Sequence, residues 1–144
     1  MRGIVAAKPL LSRPEQQLYG RLVRAFPGHV ILAHVALSRL LVVDHSASVA
    51  DAQPSTNRHR QLVADFVVCR PDFTVLAVVE VDEGGIPRDA QREKHRRKDQ
   101  FLQAAGIKVV RVAAADIPNE PALKALVAAL PLNSSAAQVM RRAS

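Results

Sequence analysis

Asp65, Glu80 and Asp82 are the residues of this chain whose types and spacing could do chemistry. Glu80 and Asp82 lie two apart at the end of an apolar run from Thr74 to Val81, so on a strand they share a face. Asp65 opens a second run rich in Val, and Arg70-Pro71-Asp72-Phe73 between the two runs predicts a β-hairpin. A turn centred near Asp72 sets Asp65 roughly opposite Glu80. Directly opposed side chains in a sheet stand about 4.5–5.5 Å apart, and like charges there repel. Three acids converging at the end of a buried strand need a compensating cation. There is one cysteine, Cys69, and the histidines have no regular spacing, so the donors suit a hard, oxygen-loving cation such as Mg²⁺, Mn²⁺ or Ca²⁺. Such an ion polarises a phosphate and lowers the pKa of bound water.

A basic helix predicted over Asp89–Ala105 follows the acids after a Gly84-Gly85 break and carries Arg88, Arg92, Lys94, His95, Arg96, Arg97 and Lys98 at or near its start. Phe101, Leu102 and Ala105 form its apolar stripe, and stepping back along it gives Lys98, Lys94 and Gln91. One of these lysines is therefore expected over the carboxylates, with the remaining cations forming a solvated face. Across the whole chain 20 Lys and Arg against 13 Asp and Glu leave a charge of +7, which favours a polyanionic partner, nucleic acid ahead of an acidic membrane. Arg92, Arg96, Arg97 and Lys98, with Arg58 and Arg60 from a polar loop, are the expected nucleic-acid contacts. One Tyr, four Phe and no Trp argue against a base-stacking single-strand binder, so duplex DNA is the expected form.

The elements that position these groups follow from periodicity and punctuation. Ser12-Arg13-Pro14-Glu15 starts a helix running to about Ala25, with Leu18, Tyr19, Leu22 and Val23 facing the core. Glu15 shares that inward stripe and reads either as the capping glutamate or as a site residue. His29–Val35 is the first strand, Leu37–Val42 a short helical turn, and Asp44–Arg60 a long polar loop. The hairpin gives two strands, of which the second, apolar on both faces, is central. Val75, Ala77, Val79 and Val81 are expected on one side, and Leu76 and Val78 on the other. Ile107–Val112 is a fourth strand, parallel to its neighbour, and about Glu120–Leu130 a last helix. The order predicts an α/β domain over residues 11–131: a mixed four-stranded sheet flanked by helices, α-β-β-β-α-β-α, after a lead-in and before a disordered tail from residue 132. No window approaches the length of a membrane span, and the first residues lack an export signal, so a cytoplasmic location without membrane contact is expected. Cys69, in an apolar strand, is expected to be inert.

Asp65, a hairpin and Glu80-x-Asp82 on an apolar strand resemble the PD-(D/E)XK nuclease superfamily, whose motif is an acid, a spacer and (D/E)-x-K. More narrowly, LLSRPEQQLYGRL, VADFVVCRPDFTVLAVVEVD and FLQAAGIKVVRV are similar to a bacterial domain family of unknown function, DUF2726, itself related to the very-short-patch repair endonucleases. The resemblance covers about Leu11–Leu130. It implies a restriction-endonuclease-like core in which Asp65 and Glu80, with Asp82 beside them, hold Mg²⁺ or Mn²⁺, and in which Glu15 points into a catalytic site. The motif lysine is replaced here by Asp82, and the histidine that relatives often carry just beyond the acid pair is missing from Glu83-Gly84-Gly85-Ile86. Members of the superfamily that take the lysine from the next helix make Lys94 the expected catalytic substitute, with Lys98 second. A metal-dependent DNA endonuclease, a non-catalytic nucleic-acid-binding module on the same fold, and a protein-interaction domain all remain open on the sequence.

Overall fold

The structure, a computed structural model, describes residues 3–42, 62–85 and 88–129. The expected polar loop with Arg58 and Arg60, and the tail after residue 131, lie outside the described residues. The elements are α1 (Arg13–Ala25), β1 (Val30–Ala36), α2 (Leu37–Leu40), β2 (Val63–Cys69), β3 (Val75–Asp82), α3 (Asp89–Ala104), β4 (Lys108–Ala113) and α4 (Glu120–Ala129). The strands form one sheet in the order β1-β2-β3-β4. The first three pair antiparallel and β4 lies parallel to β3, so the molecule is a mixed α/β fold.

Each face of the sheet has its own apolar layer. Leu18 and Leu22 of α1, with Leu123 and Val127 of α4, pack on Phe66, Val68, Ala77, Val79, Val110 and Val112. On the other face Leu102 of α3 and Leu37 of α2 cover Val67, Cys69 and Val78. Burial on both sides is what the unbroken apolar run of β3 demands. Cys69 lies in that second layer, where burial, with Asp72 adding to it, pushes its thiol pKa up and away from reactivity.

The ends of α1 and α4 are fixed by local chemistry. Ser12 caps α1 in a reciprocal box with Glu15. Asn119 accepts from the Ala122 amide at 3.0 Å to cap α4. Arg24 of α1 then meets Glu120 at 2.8 Å, and Arg21 donates to the carbonyls of Ile117 and Pro118, so the two helices are pinned side by side. No helix among the described residues is long and apolar enough to cross a membrane.

The hairpin differs from strict alternation at one point. Cys69 pairs with Val75 but Val68 with Ala77, so β3 carries a one-residue bulge at Leu76. Leu76 therefore packs against the α1 and α4 layer and Val75 against the α3 layer, the reverse of the expected sides. The same extra residue advances the register so that Phe66 meets Val79, and the next step sets Asp65 across from Glu80. Without it Asp65 would face Val79, because a one-residue slip turns every partner over.

Candidate functional site

Asp65 and Glu80 come together where the β2–β3 ladder ends. Beyond the Phe66–Val79 pair their side chains take over the bonds that strand partners would make. Glu80 Oε2 accepts from the Asp65 amide at 3.3 Å, and Asp65 Oδ2 accepts from the Val81 amide at 2.8 Å. Each carboxyl group is thus fixed by the opposing backbone, which holds the two acids side by side.

Glu80 is the most unusual side chain in the molecule. It is only 2% exposed, and burial pushes its carboxyl up to about 8, with the Asp65 carboxylate adding to the rise. Lys98 pulls it back. The Lys98 ammonium stands 3.1 Å from Glu80 Oε1 and donates to the Val63 carbonyl at 2.9 Å. Oε1 is buried with the Lys98 ammonium beside it and makes no hydrogen bond of regular geometry among the described residues.

Lys98, rather than Lys94, is the lysine at the carboxylates. Lys98 and Leu102 are the buried residues of α3, whereas Lys94, one turn earlier, is exposed. The stripe inferred from Phe101 and Leu102 is right in phase but shorter than expected, because a helix's inward face is buried only where sheet lies beneath it. Lys98 is correspondingly withdrawn from the set of exposed phosphate contacts. Within that set Arg96 and Arg97 both clasp Glu93, at 2.9 and 3.2 Å, while Arg92 is exposed. Arg58 and Arg60 are outside the described residues.

Asp82 and Glu15 are also separated from the pair. Asp82 sits exposed at the strand end and accepts from the Gly84 amide at 2.9 Å, a local turn at positive φ that glycine permits. Glu15 bonds Ser12 with one oxygen and His34 with the other, at 2.6 Å. Burial raises its carboxyl, but His34 and Ser12 outweigh that and hold it below its ordinary value. Among the described residues no three His, Cys, Asp or Glu group closely enough to hold a metal ion unaided. Two carboxyl groups held side by side nevertheless fit Mg²⁺ or Mn²⁺, which are commonly held by one or two carboxylates with water and phosphate oxygens completing the shell.

Three ionisable residues at this level were not among those expected. Arg111 of β4 is paired with Glu80 and bonds Asp99 of α3 at 2.5 Å. Burial pulls the Arg111 pKa down, and Asp99 outweighs it, raising the net value; Glu80 and Asp82 add to the rise. His34 of β1 lies between the pairs Ala33–Phe66 and Val35–Ala64, at an irregular point of the strand with φ +51°. At this level each strand carries one ionisable residue, His34, Asp65, Glu80 or Arg111, but the His34 imidazole turns to Glu15 of α1 whereas Glu80 and Arg111 meet Lys98 and Asp99 of α3. A polar residue interrupting an apolar strand, in VILAHVA and KVVRVA, was the available signal; the common level depends on register.

A stability effect follows from Glu80. Its folded pKa of about 8 lies above the ordinary 4.5, so between these values the folded state holds more protons than the unfolded one. The resulting stabilisation is full below about pH 4.5 and is lost as pH rises through about 8. Urea denaturation of metal-free protein at pH 5, 6.5 and 8 should show this decline, and Glu80→Gln should flatten it. An unchanged slope in Glu80→Gln would assign the effect to another group.

No curated protein and no solved structure matches this chain. One family model does, that of a protein of unknown function, DUF2726, over residues 7–130, which takes in every strand and helix described above. The chain belongs to the DUF2726 family.

Proposed function

We propose that this domain is a divalent-cation-dependent DNA endonuclease, with a restriction-endonuclease-like arrangement of its sheet and helices. The observation that carries the proposal is the cluster of Asp65, Glu80 and Lys98: two carboxylates held together by backbone bonds, with a buried ammonium 3.1 Å from one of them. Acid, acid and lysine are the three chemical parts of the PD-(D/E)XK motif, here with the lysine taken from α3. Asp65 and Glu80 would hold Mg²⁺ or Mn²⁺, which supplies Lewis acidity at the scissile phosphate. Lys98 offers positive charge where charge develops on that phosphate. The surplus of 20 basic over 13 acidic residues, with Arg92 exposed on α3, favours association with a duplex backbone.

The test is cleavage of supercoiled plasmid, linear duplex and mismatched duplex in Mg²⁺ or Mn²⁺, with Asp65→Ala as control. Cation-dependent cleavage that Asp65→Ala abolishes is expected. Binding should be salt-sensitive, and Arg92→Gln should flatten the log–log salt slope by about 0.9 if that side chain neutralises one phosphate. Affinity that does not change with salt would remove nucleic acid as the partner.

A non-catalytic nucleic-acid-binding domain is the second reading. It is favoured by Lys98 already lying against Glu80 and Val63, an ion pair that neutralises the site from within. DNA binding without cleavage under any divalent ion would establish it.

A further inference from the structure

Lys98 and Asp99 are consecutive on α3, and each holds an ionisable partner from one of two adjacent strands. Lys98 stands 3.1 Å from Glu80 of β3, and Asp99 takes Arg111 of β4 at 2.5 Å. Glu80 and Arg111 are themselves partners in the parallel β3–β4 ladder, where neighbouring strands run about 4.7–4.9 Å apart. Val110 and Val112 pack in the α1 and α4 layer, so Arg111 between them faces α3, as its contact with Asp99 shows. Glu80, Lys98 and Arg111 thus share one face at one end of the sheet. Asp65 is tied into the same end through the Val81 amide.

The two cations differ in what they have left to give. The Lys98 side chain is 11% exposed, and its ammonium is already engaged with Glu80 and the Val63 carbonyl. The Arg111 side chain is 35% exposed, so solvent reaches it. Asp99 takes its Nη2, and its Nε and Nη1 have no hydrogen-bond partner among the described residues. Glu80, though the ladder partner, leaves those donors alone because Lys98 and the Asp65 amide occupy its oxygens. The charges of Glu80 and Asp82 still act on the guanidinium, which therefore stands within electrostatic reach of the acids. A guanidinium is a rigid planar fork, so a carboxylate on one donor fixes its plane and leaves the others for a second anion. Phosphate is the anion such a fork grips best.

We propose that Arg111 grips the backbone phosphate brought to the Asp65–Glu80 pair and that Asp99 is its positioning residue, a proposal resting on the DNA reading put forward above. One strand over from the acids, the fork takes non-bridging oxygens of that phosphate. It fixes the phosphate's orientation and stabilises the negative charge that builds on those oxygens. Lys98 acts from within the buried layer, whereas Arg111 acts from the solvent side.

Two measurements test this. The first is the ¹⁵N–¹H signal of Arg111 Nε, assigned from Arg111→Lys, during titration with a short DNA duplex in Ca²⁺. The signal should move and saturate in step with binding followed by fluorescence anisotropy, and Asp99→Asn should diminish the movement. A duplex that binds and leaves the Arg111 signal in place overturns the proposal. The second is plasmid cleavage at saturating Mn²⁺. Arg111→Met should lower kcat by about a hundred- to a thousand-fold with KM within about threefold. Arg111→Lys, which keeps the charge and loses the fork, should recover part of that loss. Asp99→Asn should lower kcat by about ten- to a hundred-fold. A merely structural ion pair would lower Tm in Arg111→Met and Asp99→Asn alike and leave kcat unchanged, which overturns the proposal while the endonuclease reading stands on wild-type activity. A wild type that moves the Arg111 signal without cleaving keeps the phosphate contact and ends the endonuclease reading.

Discussion

Lys98→Met is expected to lower DNA cleavage by about a hundred- to a thousand-fold, the usual effect of losing one well-placed electrostatic stabiliser. Lys94→Met should leave the rate within about threefold, because Lys94 is exposed one turn before the carboxylates. Removing one partner of a buried ion pair costs about 3–5 kcal/mol when the other charge is left stranded. Glu80 has a way out: its carboxyl already titrates near 8, and loss of the Lys98 ammonium moves it higher. The variant should therefore keep Glu80 protonated and lose little stability at pH 6, with the penalty growing above pH 8. Cleavage assayed at pH 6.5–7, beside urea denaturation across that range, separates the two effects. Equal cleavage by wild type and Lys98→Met would end the assignment of the motif lysine to α3.

The second large effect concerns the cation. Mn²⁺ at about a hundred times its dissociation constant should stabilise the folded protein by about 2.7 kcal/mol. For a domain of this size that raises Tm on the order of 10 °C. Asp65→Asn should remove the whole response. Asparagine can still accept from the Val81 amide through its carbonyl oxygen, so the loss would report charge rather than strand geometry. The same experiment has a pH signature. A cation must displace the proton that Glu80 carries below about 8, so Mn²⁺ affinity should rise by about tenfold per pH unit as pH approaches 8 from below. EDTA should reverse the stabilisation. A Tm response that survives Asp65→Asn would place the cation elsewhere on the chain.

Local chemistry made much of this protein legible from its sequence. Ser12 and Glu15 start α1 because a hydroxyl and a carboxylate three residues apart satisfy backbone amides that the helix leaves open. β3 was recognisable as a central strand because the alternation of polar and apolar residues is absent there: apolar side chains occupy both faces from Val75 to Val79. The pairing of Asp65 with Glu80 was approachable because both flank one short turn, and the sheet order because three strands in succession form a meander. Tertiary structure decided the rest. The bulge at Leu76 fixed the last residue of register, which no turn residue specifies. Lys98 was chosen over Lys94 by the reach of the sheet under α3, since two lysines four apart share a stripe and only contact distinguishes them. The neighbouring places of Asp65, Glu80 and Arg111 draw one residue from each of three strands. Spacing along the chain carries no information about such a set, because hydrogen-bond register across separate strands creates it.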